Sequence, residues 1–125
     1  MDALGHLNNV VYYRYAETAR IHYLEKLGMF NKQSFLVLAQ ASCKYILPVV
    51  YPETLQIGVR CKKIGTTSIV FEYLFYSQQQ QKTVATAQAV VVNLDKETNK
   101  SKPWSEQQRQ DVFALEQTVN HIPEH

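Results

Sequence analysis

The sequence predicts an α+β domain, in which one long apolar helix is wrapped by a curved antiparallel β-sheet of four strands and followed by a short C-terminal helix. Two patterns carry this reading. Within residues 8–27, Tyr12, Ala16, Ala19, Tyr23 and Leu27 recur at helical spacing, and Val11, Tyr15 and Leu24 widen the stripe. Beyond residue 35, runs with alternating faces follow one another, as in strands that bury one side. A chain of 125 residues, 46% hydrophobic and 19% charged, is long enough for one such core, and no linker-like stretch divides it.

Each element has local causes. Asn8 or Asn9 is placed to cap the first helix, and Gly28 stands where a left-handed C′ residue belongs. The apolar surface is wider than a surface helix shows, which predicts cover on most sides. Glu17 and Arg20 are spaced to pair along it. The first strand is expected over 35–47, stopped by Pro48, with Pro52 delaying the next. Leu55, Ile57, Val59 and Cys61 alternate with Gln56, Gly58, Arg60 and Lys62, and Gly65 marks a turn. Ile69, Phe71, Tyr73 and Phe75 then alternate with Val70, Glu72, Leu74 and Tyr76, and 78–81 reads as a hairpin loop.

The fourth strand is expected over 83–94. It carries Val84, Thr86, Gln88, Val90 and Val92 on one face and Ala85, Ala87 and Ala89 on the other, where small residues admit close packing. After a polar turn at 95–102, Ser105 and Gln108 have capping-box spacing and open a helix to about residue 117, with Val112 and Leu115 as its contacts. The domain is read as 1–118, with 119–125 a frayed tail. Strands this long twist, and a twisted sheet curls around an apolar rod. Val70, Leu74, Tyr76 and Val91 are expected on the outer face; covering them calls for a homodimer or homotetramer.

Several function classes fall away. The net charge is +2 and the basic residues are scattered, so there is no footprint for nucleic acid or a membrane surface. The most apolar run, 45–51, is broken by Pro48 and is far shorter than the ~18 residues of a membrane-spanning helix. Met1 and Asp2 open the chain without the basic and apolar regions of a signal peptide. Cys43 and Cys61 match no metal or redox spacing, which predicts reduced structural thiols in a cytoplasmic protein. No nucleophile elbow, zinc-protease motif, P-loop or dinucleotide fingerprint occurs. The histidines, His6, His22, His121 and His125, do not cluster; His22 is read as a helix-surface residue and the last two as solvated. No metal or cofactor is expected.

What remains is the polar cluster Asp2, Gly5, His6, Asn8 and Asn9, directly at a helix N-terminus. Such a terminus presents unpaired N–H groups and about half a positive charge, and it suits an oxyanion. From the residues alone, an Asx-rich turn that only caps the helix is the plainer reading.

The run from Asp2 through Gly5, His6, Asn8, Asn9, Tyr12 and Tyr13, followed by Glu17 and Arg20, resembles the D-x-x-G-H-x-N-N…Y…E-x-x-R signature of the 4-hydroxybenzoyl-CoA thioesterase family, which has the hotdog fold. Tyr45 with Pro48, the stretches 53–60 and 63–68, and Ala85 with 87–92 resemble the family's later strands. The similarity spans roughly residues 1–97. Relatives carry a complete strand ahead of the acidic residue, where this sequence has Met1.

The resemblance implies hydrolysis of acyl-CoA thioesters with one acidic residue and no metal. The acid maps onto Asp2 and the oxyanion-donating backbone N–H onto Asn9. His6 either holds the loop, by bonding Asp2 or the turn backbone, or takes part in proton transfer. The acyl tunnel is expected beside the helix, at Tyr12, Tyr13 and residues 35–41. Some relatives meet the nucleotide phosphates with basic residues in the turn matching 65–67. Here Lys62 and Lys63 stand nearby, and Thr67 and Ser68 offer hydroxyls.

A thioester's leaving group is a thiol with a pKa near 8.5, so it departs as thiolate without a general acid. The carboxylate then serves as nucleophile or as general base on water. Acyl carrier protein in place of CoA, or a hotdog protein that binds acyl ligands without turnover, are the alternatives.

Overall fold

The structure is a computed structural model that describes residues 9–28, 34–49 and 54–125, with only the backbone given for 9–11 and 34. The order is α1 (Asn9–Lys26), β1 (Ser34–Tyr45), β2 (Leu55–Ile64), β3 (Ser68–Ser77), β4 (Lys82–Asp95) and α2 (Glu106–Gln117). All strand pairs are antiparallel and the sheet runs β1-β4-β3-β2, so β1 and β2 are its edges. The elements therefore fall where the two periodicities put them.

The core lies between α1 and one face of the sheet. Tyr12 meets Phe75 and Tyr45 edge-on, at ring separations of 5.1 and 5.2 Å, and Tyr23 meets Phe71 at 5.1 Å. Ala16 and Leu24 complete the buried stripe. The alanines of β4 at 85, 87 and 89 belong to the same core, as their size predicts. Gly28 ends the helix at φ +63°, a conformation that L side chains rarely adopt. Contrary to the expectation of cover on most sides, Tyr13, Tyr15 and Ile21 are exposed, so one face of the helix is sheathed and the other is bare. Arg20 does not turn to Glu17. Its guanidinium donates to the Tyr73 hydroxyl at 3.2 Å, tying helix to sheet across the core.

Bulges shift the faces of the sheet at three places. One of these, between Phe75 and Tyr76, turns Val84 inward beside Ala85 instead of outward with Thr86. The Val84 carbonyl accepts from the N–H groups of Ile46 and Leu47, which steers the chain out of β1. Val91, expected on the outer face, pairs with Ile69 and is buried with it. The strand's own alternation requires this, since Val91 shares parity with the alanines.

The C-terminal segment is not frayed. The Glu124 backbone pairs with Lys62 and Ile64 in a short parallel bridge, and Pro123 is fully buried. His121 is half-buried rather than solvated and meets the Cys61 carbonyl at 2.9 Å, whereas His125 is exposed as expected, with one edge of its ring on Phe113.

The capping box at Ser105 and Gln108 is formed as its spacing predicts, and it sets α2 against the sheet through fully buried Val112. Ser105→Ala is therefore expected to lower stability by about 1 kcal/mol, and Phe71→Ala by about 3–5 kcal/mol. Urea unfolding should show both as lowered midpoints with unchanged slopes.

Candidate functional site

The described part of α1 opens at Asn9, the last asparagine of the motif. No acidic residue lies in this first turn to neutralise the dipole's positive end. Asp2, Gly5, His6 and Asn8 lie outside the described residues, as does the side chain of Asn9.

Tyr12 is buried and fixes the first turn against Phe75, a core role rather than an open tunnel wall. Tyr13, 41% exposed, stands on the bare side of the helix. Tyr45 adds a half-exposed ring beside Tyr12. Burial raises the pKa values of both Tyr45 and Cys43, each bonded to the other, so this wall is uncharged at neutral pH. A thiol held protonated is a poor nucleophile, which fits the lack of any catalytic-cysteine pattern.

The second group of expected site residues lies at the other end of the sheet. Lys62 and exposed Lys63 close β2, and Thr67 and Ser68 open β3. Along β3, the distance from Thr67 to Phe75 is on the order of 25 Å. A single chain therefore does not bring this turn to the mouth of its own helix.

The turn is tightly held. Gly65 N–H donates to the Ser68 carbonyl at 2.8 Å, and Trp104 donates its ring N–H to the same carbonyl at 3.1 Å. Arg109, from α2, donates to the Gly65 carbonyl at 2.8 Å. A cation thus stands at a turn that looks neutral in sequence. Sequence reasoning missed Arg109 because it lies 44 positions away along the chain, and no local spacing connects the two.

A second feature was not foreseen. Between the latter half of α1, β2 and α2 is a cleft of about 450 Å³, lined by Ala19, His22, Tyr23, Ile57, Val59, Leu115 and Glu116 among others. Tyr12, Tyr13 and residues 35–41 are not part of it. At its floor the buried Glu116 carboxylate accepts from the backbone N–H of Cys61. The Tyr23 hydroxyl leans toward that carboxylate without forming a hydrogen bond of proper geometry. Burial pushes the Cys61 thiol up to about 12, helped by the Glu116 charge. No group of three or more metal-ligating side chains occurs among the described residues.

Comparison with known proteins identifies the fold and its relatives. The sequence profile of the thioesterase-like superfamily matches residues 1–112. The chain belongs to that superfamily. The protein YsmA of Bacillus subtilis (strain 168) is 33% identical over 114 residues, which are 90% of this chain and 77% of YsmA. A thioesterase from Thermus thermophilus, solved with coenzyme A and Zn, is 28% identical with a TM-score of 0.79, over 94% of this chain and 86% of that one. A thioesterase-superfamily structure from a Jannaschia species is 27% identical with a TM-score of 0.81, over 90% of this chain and 73% of that one. The helix and four-stranded sheet are those of a hotdog thioesterase. No helix among the described residues is long and apolar enough to cross a membrane.

Glu116 yields a test of the cleft floor. Burial raises its pKa above the usual carboxylate range, against the pull of the Cys61 N–H, His121 and Arg60. The folded chain thus keeps this proton to higher pH than the unfolded chain does. Its contribution to stability is largest in acid and is lost as pH rises through the raised folded value. Glu116→Gln, neutral at every pH, should gain on the parent between about pH 4 and pH 8. Glu116→Ala strands the Cys61 N–H and should lose about 1–3 kcal/mol at both ends. Urea titrations at the two pH values check both.

Proposed function

We propose that this protein is an acyl-CoA thioester hydrolase of the 4-hydroxybenzoyl-CoA thioesterase type, releasing a free carboxylic acid and CoA. The observation that carries the reading is the match of residues 1–112 to the thioesterase-like superfamily, with the acidic-glycine-histidine-asparagine run directly ahead of the described helix α1. A relative solved with coenzyme A supports CoA as the carrier.

In this reading the thioester carbonyl lies over the first turn of α1. The N–H of Asn9 takes the oxyanion that forms as the carbonyl carbon becomes tetrahedral, and the helix dipole adds to it. Asp2, ionised, either attacks that carbon to give an acyl anhydride that water then opens, or removes a proton from the attacking water. In both routes the carbon–sulfur bond breaks and its electron pair leaves on sulfur as thiolate. His6 holds the loop that carries Asp2. Tyr45, half-exposed over the buried Tyr12 ring, offers the acyl group an apolar wall at this end of the helix.

The basic end of the sheet then receives the nucleotide phosphates. Lys62, Lys63, Thr67 and Ser68 act there with Arg109, whose guanidinium is already fixed on the turn. Because that turn is remote from the same chain's Asn9, an acyl-CoA touching both takes its phosphate contacts from a neighbouring copy. The bare apolar surfaces of the single chain support this. The edge strand β1 and the segment after it expose Val37, Leu38, Tyr45 and Ile46, and the helix exposes Tyr13 and Ile21 beside them. A homodimer or homotetramer covers these surfaces. The free thiols of Cys43 and Cys61 accord with a reducing, cytoplasmic setting.

The test is thiol release from a panel of acyl-CoA thioesters. Asp2→Ala and Asp2→Asn should each lower kcat/KM by at least about 100-fold, with the assembly's mass unchanged. Undiminished turnover in both variants would contradict the reading.

A further inference from the structure

The glutamine run 78–81 makes the turn between β3 and β4, and each of its residues is used. Ser77, fully buried at the end of β3, accepts from the Gln80 N–H with its hydroxyl at 3.0 Å and from the Gln81 N–H with its carbonyl at 2.9 Å. The Gln81 side chain donates to the Gln78 carbonyl at 3.1 Å, and its backbone takes the left-handed conformation at φ +57°. A tip held this way aims its two central side chains, and both reach out of the hairpin. The Gln80 side-chain amide donates to the Pro48 carbonyl at 3.0 Å, and the Gln79 side-chain oxygen accepts from the Thr54 N–H at 3.0 Å. The Gln78 N–H donates to the Thr54 carbonyl, also at 3.0 Å.

The sheet order explains why these groups meet. β1 and β2 are the two edges, with β4 and β3 between them; Tyr45 pairs with Ala85 and Leu55 with Ser77, so the chain leaves β1 and enters β2 beside this turn. Past Tyr45, the Ile46 and Leu47 N–H groups donate to the Val84 carbonyl at 2.9 and 3.1 Å, and Pro48 is tied to Gln80. Three consecutive residues are thus fastened, two by backbone and one by a side chain that substitution can remove. Directly before them stands the Tyr45 ring, 5.2 Å from the Tyr12 ring of α1.

Resting on the thioesterase reading above, we propose that Gln80 and Gln79 are positioning residues for acyl selectivity: by tying Pro48 and Thr54 to the hairpin, they fix the wall at Tyr45 and with it the length of acyl group accepted beside α1. Neither glutamine touches a reacting atom. Losing either tie lets this wall yield, so longer acyl chains gain on shorter ones. The carbonyl carbon, over the first turn of α1, keeps its surroundings, and the change falls on KM rather than kcat.

The two bonds run in opposite senses, which supplies the control. A glutamate keeps the acceptor at position 79 but removes the donor at position 80. The experiment measures kcat and KM of the full chain on butyryl-CoA and octanoyl-CoA. Gln80→Glu and Gln79→Ala should each raise the octanoyl-to-butyryl ratio of kcat/KM by about threefold or more, through KM. Gln79→Glu should leave the ratio at the parent's value, and Gln80→Lys, a donor again, should bring it back toward the parent. Amide exchange at Thr54, read by NMR, should quicken about threefold or more in Gln79→Ala and stay unchanged in Gln79→Glu. With an active parent, an unmoved ratio in Gln80→Glu and Gln79→Ala would overturn the proposal alone. So would an equal shift in Gln79→Glu, or unchanged Thr54 exchange in Gln79→Ala. A parent that hydrolyses neither thioester, nor any other acyl-CoA, would overturn the thioesterase reading and this proposal with it.

Discussion

Everything else in this molecule depends on how one stripe of α1 lies across β3. Tyr12 over Phe75, Arg20 on the Tyr73 hydroxyl and Tyr23 over Phe71 are spaced along both elements, so the helix can neither rotate nor slide without breaking all three. Edge-to-face rings add roughly 0.5–1.5 kcal/mol each beyond their buried area. The consequence is positional. With Tyr12 pinned, the first N–H groups of the helix have a fixed place and direction, and an amide that must meet a developing oxyanion needs that more than it needs strength.

The same packing explains the division of the molecule into two chemical ends. Beside Tyr12 the sheet offers an aromatic surface, where burial keeps Tyr45 and Cys43 protonated. At the far end of the sheet, a turn held by Trp104 and Arg109 gathers cations and backbone bonds. An apolar acyl group and a phosphorylated carrier ask for those two environments. In the proposed reading, their separation within one chain and the bare apolar edge at β1 call for a second copy.

Much of this was legible in the sequence, for physical reasons. Helix and strand periods are local properties, and Tyr12, Tyr23, Phe71 and Phe75 all face where their spacing puts them. Ser105 with Gln108 and Gly28 are local too, and both act as read. What was not legible depends on chain-distant contacts. A bulge opposite Tyr76 turned Val84 inward, and strand parity buried Val91. Arg20 found Tyr73 across the core in place of Glu17 along the helix. The segment at 119–125 looks like a tail because it is polar, yet the open edge of β2 offers it backbone partners. Arg109 was invisible as a site residue for the same reason. The motif at Asp2 was the clearest chemical signal, and it was legible as a resemblance more than as geometry.

The central claim is that chemistry occurs at the first turn of α1, and a bound-state NMR spectrum tests it most directly. A non-hydrolysable acyl-CoA analogue, with a methylene ketone in place of the thioester, should shift the backbone amide of Asn9 and its neighbours while leaving the resonances of Tyr23, Ile57 and Glu116 in place. Shifts confined to those cleft residues, with Asn9 unmoved, would contradict the account.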